Sequence, residues 1–76
     1  MKTLDEFVAL FAEQLDETDP STVTAQTKFR DLEEWSSLLA LTLISMIDEE
    51  YGHLLTGADL RARNTVKELY DYVESL

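Results

Sequence analysis

The chain has 76 residues, no cysteine, and sixteen acidic side chains against six basic ones, for a net charge of −10. That length allows one small domain, and without cysteine there is neither a disulfide framework nor a thiolate metal site, so a core must come from packed aliphatic and aromatic side chains. So acidic a chain disfavours nucleic acid and anionic membranes and favours proteins with basic patches; no stretch has the roughly 18 apolar residues of a membrane span, and Met1–Leu15 lacks the basic start and apolar run of a secretion signal, which predicts a cytoplasmic protein.

Four segments read as helices and none as a strand. The first runs from Leu4 to Leu15, where Leu4, Phe7, Val8, Phe11 and Leu15 recur at helical spacing as one apolar stripe. Thr3 with Glu6 three residues later has the form of a capping box. Residues 16–35 form a long connection in which Pro20, acids and several Ser and Thr interrupt any helical pattern. Such a loop in a small domain serves a function or is pinned by its own side chains, and Val23, Phe29 and Leu32 are the expected pins. Parallel neighbours need a crossing of this kind, so the loop predicts that the first and second helices run the same way.

The second helix spans Ser37 to Tyr51, with Gly52 in the usual glycine position just past the last turn. A short third helix follows Thr56, with Thr56 and Asp59 in capping-box register, and continues to Ala62. The fourth runs from Val66 to Ser75 behind a Thr65–Glu68 box, with Val66, Leu69, Tyr70 and Val73 as its apolar stripe. With no repeat, low-complexity tract or linker, residues 1–76 are expected to form a single all-α domain. The architecture predicted is a small irregular four-helix bundle with a long loop between helices one and two.

Helical winding sorts the second helix into two faces. Ala40, Leu43, Ile44, Ile47 and Tyr51 share one arc, expected to face the core. Leu38, Leu41, Thr42, Ser45, Asp48 and Glu49 lie opposite. Two readings exist for the leucines: the third helix covers them, or they form an exposed pair bordered by carboxylates. The second suits a partner bringing an apolar pocket edged with Arg or Lys.

At the head of this helix stand Trp35-Ser36-Ser37-Leu38. One serine suffices as N-cap, and Ser36 fits. Ser37 then sits in the first turn, where unpaired N–H groups and the positive end of the dipole favour an anion such as a phosphodiester. On helix physics alone, capping is the better explanation for a serine there. Trp35 either lies beside whatever Ser37 carries or packs against the long loop, and the loop is the expectation.

The run Asp48-Glu49-Glu50 is a solvated face or a docking patch; it lacks the alternating spacing of a calcium loop, and no metal site is expected. His53, the single histidine, lies at the far end of the helix from Ser37 and reads as a loop residue rather than a base for it. Arg61 and Arg63 read as solvent-facing charges. No acid, base and nucleophile converge, so an enzyme is not expected.

The stretch Asp31-Leu32-Glu33-Glu34-Trp35-Ser36-Ser37-Leu38, followed by Leu41, Ile44 and Asp48-Glu49-Glu50-Tyr51-Gly52, resembles the acyl carrier proteins. Their signature is Asp-Ser-Leu at the head of the second helix, with an acidic run and an aromatic residue near its end. Leu55 fits the family's apolar residue before the third helix, and Asn64-Thr65-Val66 fits the start of the fourth, so the resemblance covers almost the whole chain. It implies that a phosphopantetheinyl transferase moves 4′-phosphopantetheine from coenzyme A onto Ser37. The arm's thiol, which this cysteine-free chain does not itself supply, would hold acyl intermediates as thioesters.

The resemblance further implies a non-catalytic, monomeric carrier that can shelter the acyl group between its helices and delivers it to acyl-processing enzymes of fatty-acid, polyketide or related biosynthesis. Leu38, Leu41, Ser45, Asp48 and Glu49 would dock onto basic patches of those enzymes. Two positions depart from the pattern: Ser36 stands where Asp is usual, and Leu39 where an acid is common. Glu33 and Glu34 are the expected substitutes for the missing charge. The alternative reading is an unmodified acidic interaction module of the same fold.

Overall fold

The computed structural model describes residues 3–76. Four helices, α1 (Leu4–Glu13), α2 (Ser37–Tyr51), α3 (Gly57–Arg61) and α4 (Val66–Glu74), surround one apolar core, with no strand among the described residues. Each helix begins where its cap predicts. Thr3, Thr56 and Thr65 form reciprocal capping boxes with Glu6, Asp59 and Glu68, which satisfies first-turn N–H groups that have no intrahelical acceptor. Gly52 closes α2 at φ 71°, in the left-handed region that glycine enters without strain. α1 ends two residues short of the expected Leu15, because the Leu15 N–H turns back to Ala12 O at 3.1 Å in a tighter turn, which still buries Leu15.

Phe7, Phe11, Phe29, Leu43, Ile47, Leu60, Val66, Leu69 and Val73 are the largest side chains wholly removed from solvent. Aromatic rings meet in two groups. Phe7 lies between Tyr51 and Tyr70, with centroids 5.6 and 5.5 Å away. Phe11, Phe29 and Trp35 follow in series at 5.9 and 5.5 Å. Trp35 thus packs on the loop, as expected.

The first group overturns the expected helix direction. Phe7, near the start of α1, touches Tyr51, the last residue of α2, and Glu34, just before α2, grips residues 16–18, just after α1. α1 and α2 therefore run in opposite directions. The loop's length goes into an excursion rather than a crossing. It forms two 3-10 turns, Pro20–Thr22 and Phe29–Asp31, and visits the head of α4 before returning. There the carbonyls of Thr27 and Ala25 accept from the N–H groups of Val66 and Lys67 at 3.0 and 2.8 Å. Arg30 Nε also donates to Arg63 O at 3.1 Å. Val23 and Phe29 are buried pins and Leu32 a half-buried one; the polar anchors accompany them.

α3, at five residues, is too short to persist alone. Asp59 holds it: its carboxylate accepts from Thr56 N–H at 2.9 Å and from the Tyr72 hydroxyl of α4 at 3.1 Å. The Arg63 guanidinium lies 3.6 Å from the centre of the Tyr72 ring and donates to Asp59 O. Arg63 is thus half-buried in a clamp between α3 and α4, not the solvent-facing charge expected of it, whereas Arg61 is exposed.

Burial, followed by Tyr70 and the carboxylates of Glu74, Glu6 and Glu50, pushes the Tyr51 phenol up to about 12 from its ordinary value of 10.0. The folded state thus favours the protonated, neutral phenol. Its contribution to stability is complete below pH 10 and is lost as pH rises towards 12, where the unfolded chain gives up the proton first. The melting temperature should therefore fall through that window. Tyr51→Phe should flatten part of the fall, and an unchanged slope in that variant would remove Tyr51 as its source.

Candidate functional site

The head of α2 is organised by Ser36. Its backbone is extended and its Oγ accepts from Leu39 N–H at 3.1 Å, while its carbonyl accepts from Ala40 N–H at 3.0 Å. Ser37 is then the first helical residue and is exposed, its hydroxyl not needed for the cap. The first-turn N–H groups and the positive helix end suit an anionic ester on Ser37, so the residues present fit a phosphodiester-linked group there.

Below this head, α2 buries Leu39, Leu43, Met46 and Ile47. Ala40, Ile44 and Tyr51 are only partly buried. The inward arc is therefore shifted from the expected one: Leu39 and Met46 join it. α3 packs against α2, and the strip that α2 buries does not follow its most apolar stripe. Leu39, where an acid is common in the resembling family, is a core residue here.

Leu38 and Leu41 are 74% and 62% exposed, so α3 does not cover them. Ser45, Asp48 and Glu49 are exposed too, and the spacing of the five residues places them along one solvent-facing side of α2. Leu54, in the α2–α3 connection, is 76% exposed beside buried Leu55, and the sequence reading passed over it. The available signal was an apolar residue in a short connection after a helix-ending glycine. His53 lies in that same connection, as expected.

Glu34, one of the two expected substitute charges, is engaged by the exit of α1. Its carboxylate accepts from the N–H groups of Asp16 at 3.0 Å, Glu17 at 3.3 Å and Thr18 at 2.9 Å, and from the Thr18 hydroxyl. That hydroxyl, with the three N–H groups behind it, holds the Glu34 carboxyl below its ordinary range despite the opposing desolvation. Glu34 is a staple joining the exit of α1 to the approach to Ser37. Glu33 remains exposed.

Beside the staple opens a cleft of about 300 Å³, bordered by Glu13, Asp16, Glu34, Ser36, Leu38 and Thr42.

The family profile described as phosphopantetheine attachment site matches residues 5–73. No curated protein matches the chain.

Proposed function

We propose, because this chain belongs to the phosphopantetheine attachment site family, that it is an acyl carrier protein with residues 1–76 as a single carrier domain and Ser37 as its attachment residue. Domains of this family are carriers, and their cofactor is covalently attached 4′-phosphopantetheine. When bound, that arm supplies a thiol for thioester formation. The chain's own residues present Ser37 to a phosphopantetheinyl transferase, offer first-turn N–H groups to the phosphodiester and catalyse nothing. The observation that carries the reading is the division of labour at the head of α2, where Ser36 alone makes the cap and leaves Ser37 exposed and available. Intact mass after incubation with coenzyme A and a transferase tests it. A chain that gains no mass would favour an unmodified interaction module.

The carrier delivers acyl groups to enzymes of fatty-acid, polyketide or related biosynthesis, as a cytoplasmic monomer. No helix among the described residues is long and apolar enough to cross a membrane. Docking uses Leu38, Leu41, Ser45, Asp48 and Glu49: the leucines enter an apolar pocket while the acids meet Arg or Lys at its rim. Glu49→Lys is expected to slow loading by a basic-patched enzyme by roughly three- to tenfold at low salt, with less effect at high salt. Its circular dichroism spectrum should match the parent's, since Glu49 is exposed. Loading that is insensitive to both the substitution and salt would remove Glu49 from the docking surface.

A further inference from the structure

Resting on the carrier reading above, we infer that this protein carries short or polar acyl groups in the open and does not enclose a long aliphatic chain between its helices. The interior beneath the head of α2 is occupied by rings in mutual contact. Phe11 and Phe29 are wholly buried with centroids 5.9 Å apart, and Trp35, two residues before Ser37, meets Phe29 at a tilt with centroids 5.5 Å apart. The far end of the core holds the second group, Tyr70, Phe7 and Tyr51. A chain entering from Ser37 would have to displace a ring pair, and interiors at crystal-like density accept added methylenes poorly.

The wall that carries Phe29 is also held in place. Ala25 and Thr27 accept from the first turn of α4, Arg30 donates to Arg63 O, and Glu34 grips residues 16–18. Yielding to an incoming chain would break several of these anchors together.

The surface hollows point to the same cargo. The cleft that Ser36 borders is edged by three carboxylates, Glu13, Asp16 and Glu34, along with Leu38 and Leu39, and Ser37 is not part of its lining, so it offers no apolar bed continuous with the arm. A more apolar hollow of about 430 Å³ lies between α1 and the Pro20 turn, lined by Val8, Ala9 and Ala12, and no residue of α2 borders it. Neither hollow gives a long alkyl chain on this arm an apolar bed, and each methylene left in water adds to its cost, whereas a short or polar acyl group bears little of it.

The test loads the full chain from acetyl-, butyryl- and octanoyl-coenzyme A with a broad-specificity transferase. Melting temperature and the rate of thioester cleavage by hydroxylamine are then measured for each form, with the matching acyl-coenzyme A as the rate reference. The three forms should melt within about 2 °C of one another. Each should be cleaved within about twofold of its free thioester. An octanoyl form that melts roughly 10 °C higher, or is cleaved about tenfold more slowly than octanoyl-coenzyme A, would overturn the inference. A chain that takes up no acyl-pantetheine from any donor overturns the carrier reading itself, and intact mass reveals that before any melt.

Discussion

Ser37→Ala is expected to accept no phosphopantetheine from coenzyme A, whatever the transferase, because the substitution removes the one oxygen through which the phosphodiester would form. The fold should be almost unaffected. Ser37 is exposed, and the Leu39 N–H is satisfied by Ser36, so the loss of stability should stay within about 0.5 kcal/mol. Ser36→Ala should show the opposite pattern. It deletes the acceptor of a first-turn donor and should cost about 1 kcal/mol, or roughly 4–8 °C in melting temperature. At least part of the modification should survive, since the nucleophilic oxygen is still present. Intact mass and a thermal melt on both variants separate chemistry from capping. A mass gain in Ser37→Ala that mapped to Ser36 would show that the attachment residue has been placed one position too late.

The second large effect is on stability. Ile47 has no exposed surface and sits with Leu43 on the inward side of α2. Ile47→Ala should cost about 2–5 kcal/mol, the lost transfer energy plus the cavity left behind. For 76 residues the total stability is only about 4–11 kcal/mol, so the melting temperature should fall by roughly 10 °C or more. Leu41→Ala on the same helix removes a side chain that is already 62% exposed and should cost less than about 0.5 kcal/mol. The contrast decides which face is inside, and equal costs for the two would contradict the assignment. Leu39→Ala should behave like Ile47→Ala, although its position next to the exposed head of α2 gives no hint of that in the sequence.

The second helix shows where sequence reading holds and where it stops. Its limits, Ser37 and Tyr51, were legible because a capping serine and a closing glycine act within four residues of the backbone groups they satisfy. The three capping boxes and the stripe of Val66, Leu69 and Val73 on α4 were legible for the same reason. The exposure of Leu38 and Leu41 was one of two readings open in the sequence, and the fold selects it by leaving them uncovered by α3. The inward placement of Leu39 and Met46 did not follow, because it depends on what packs against α2 rather than on the period of its own residues.

The remaining surprises share one cause. Glu34 reads in sequence as one of two adjacent acids beside a functional serine, and its partners lie 16 to 18 residues away. Arg30 finds its acceptor 33 residues on, and Asp59 meets the Tyr72 hydroxyl 13 residues on. The opposed directions of α1 and α2 rest on Phe7 reaching Tyr51 across the core. Chain length alone suggested a crossing, since a loop's residue count limits how far it can reach but not whether it goes there. Short-range order, the helix starts and the identity of the capping serine were determined by the sequence itself, because their energies come from neighbouring residues. The direction of the helices, the roles of Glu34 and Arg63 and the aromatic filling beneath Ser37 were decided only in three dimensions, where side chains distant in the chain compete for the same partners and the same space.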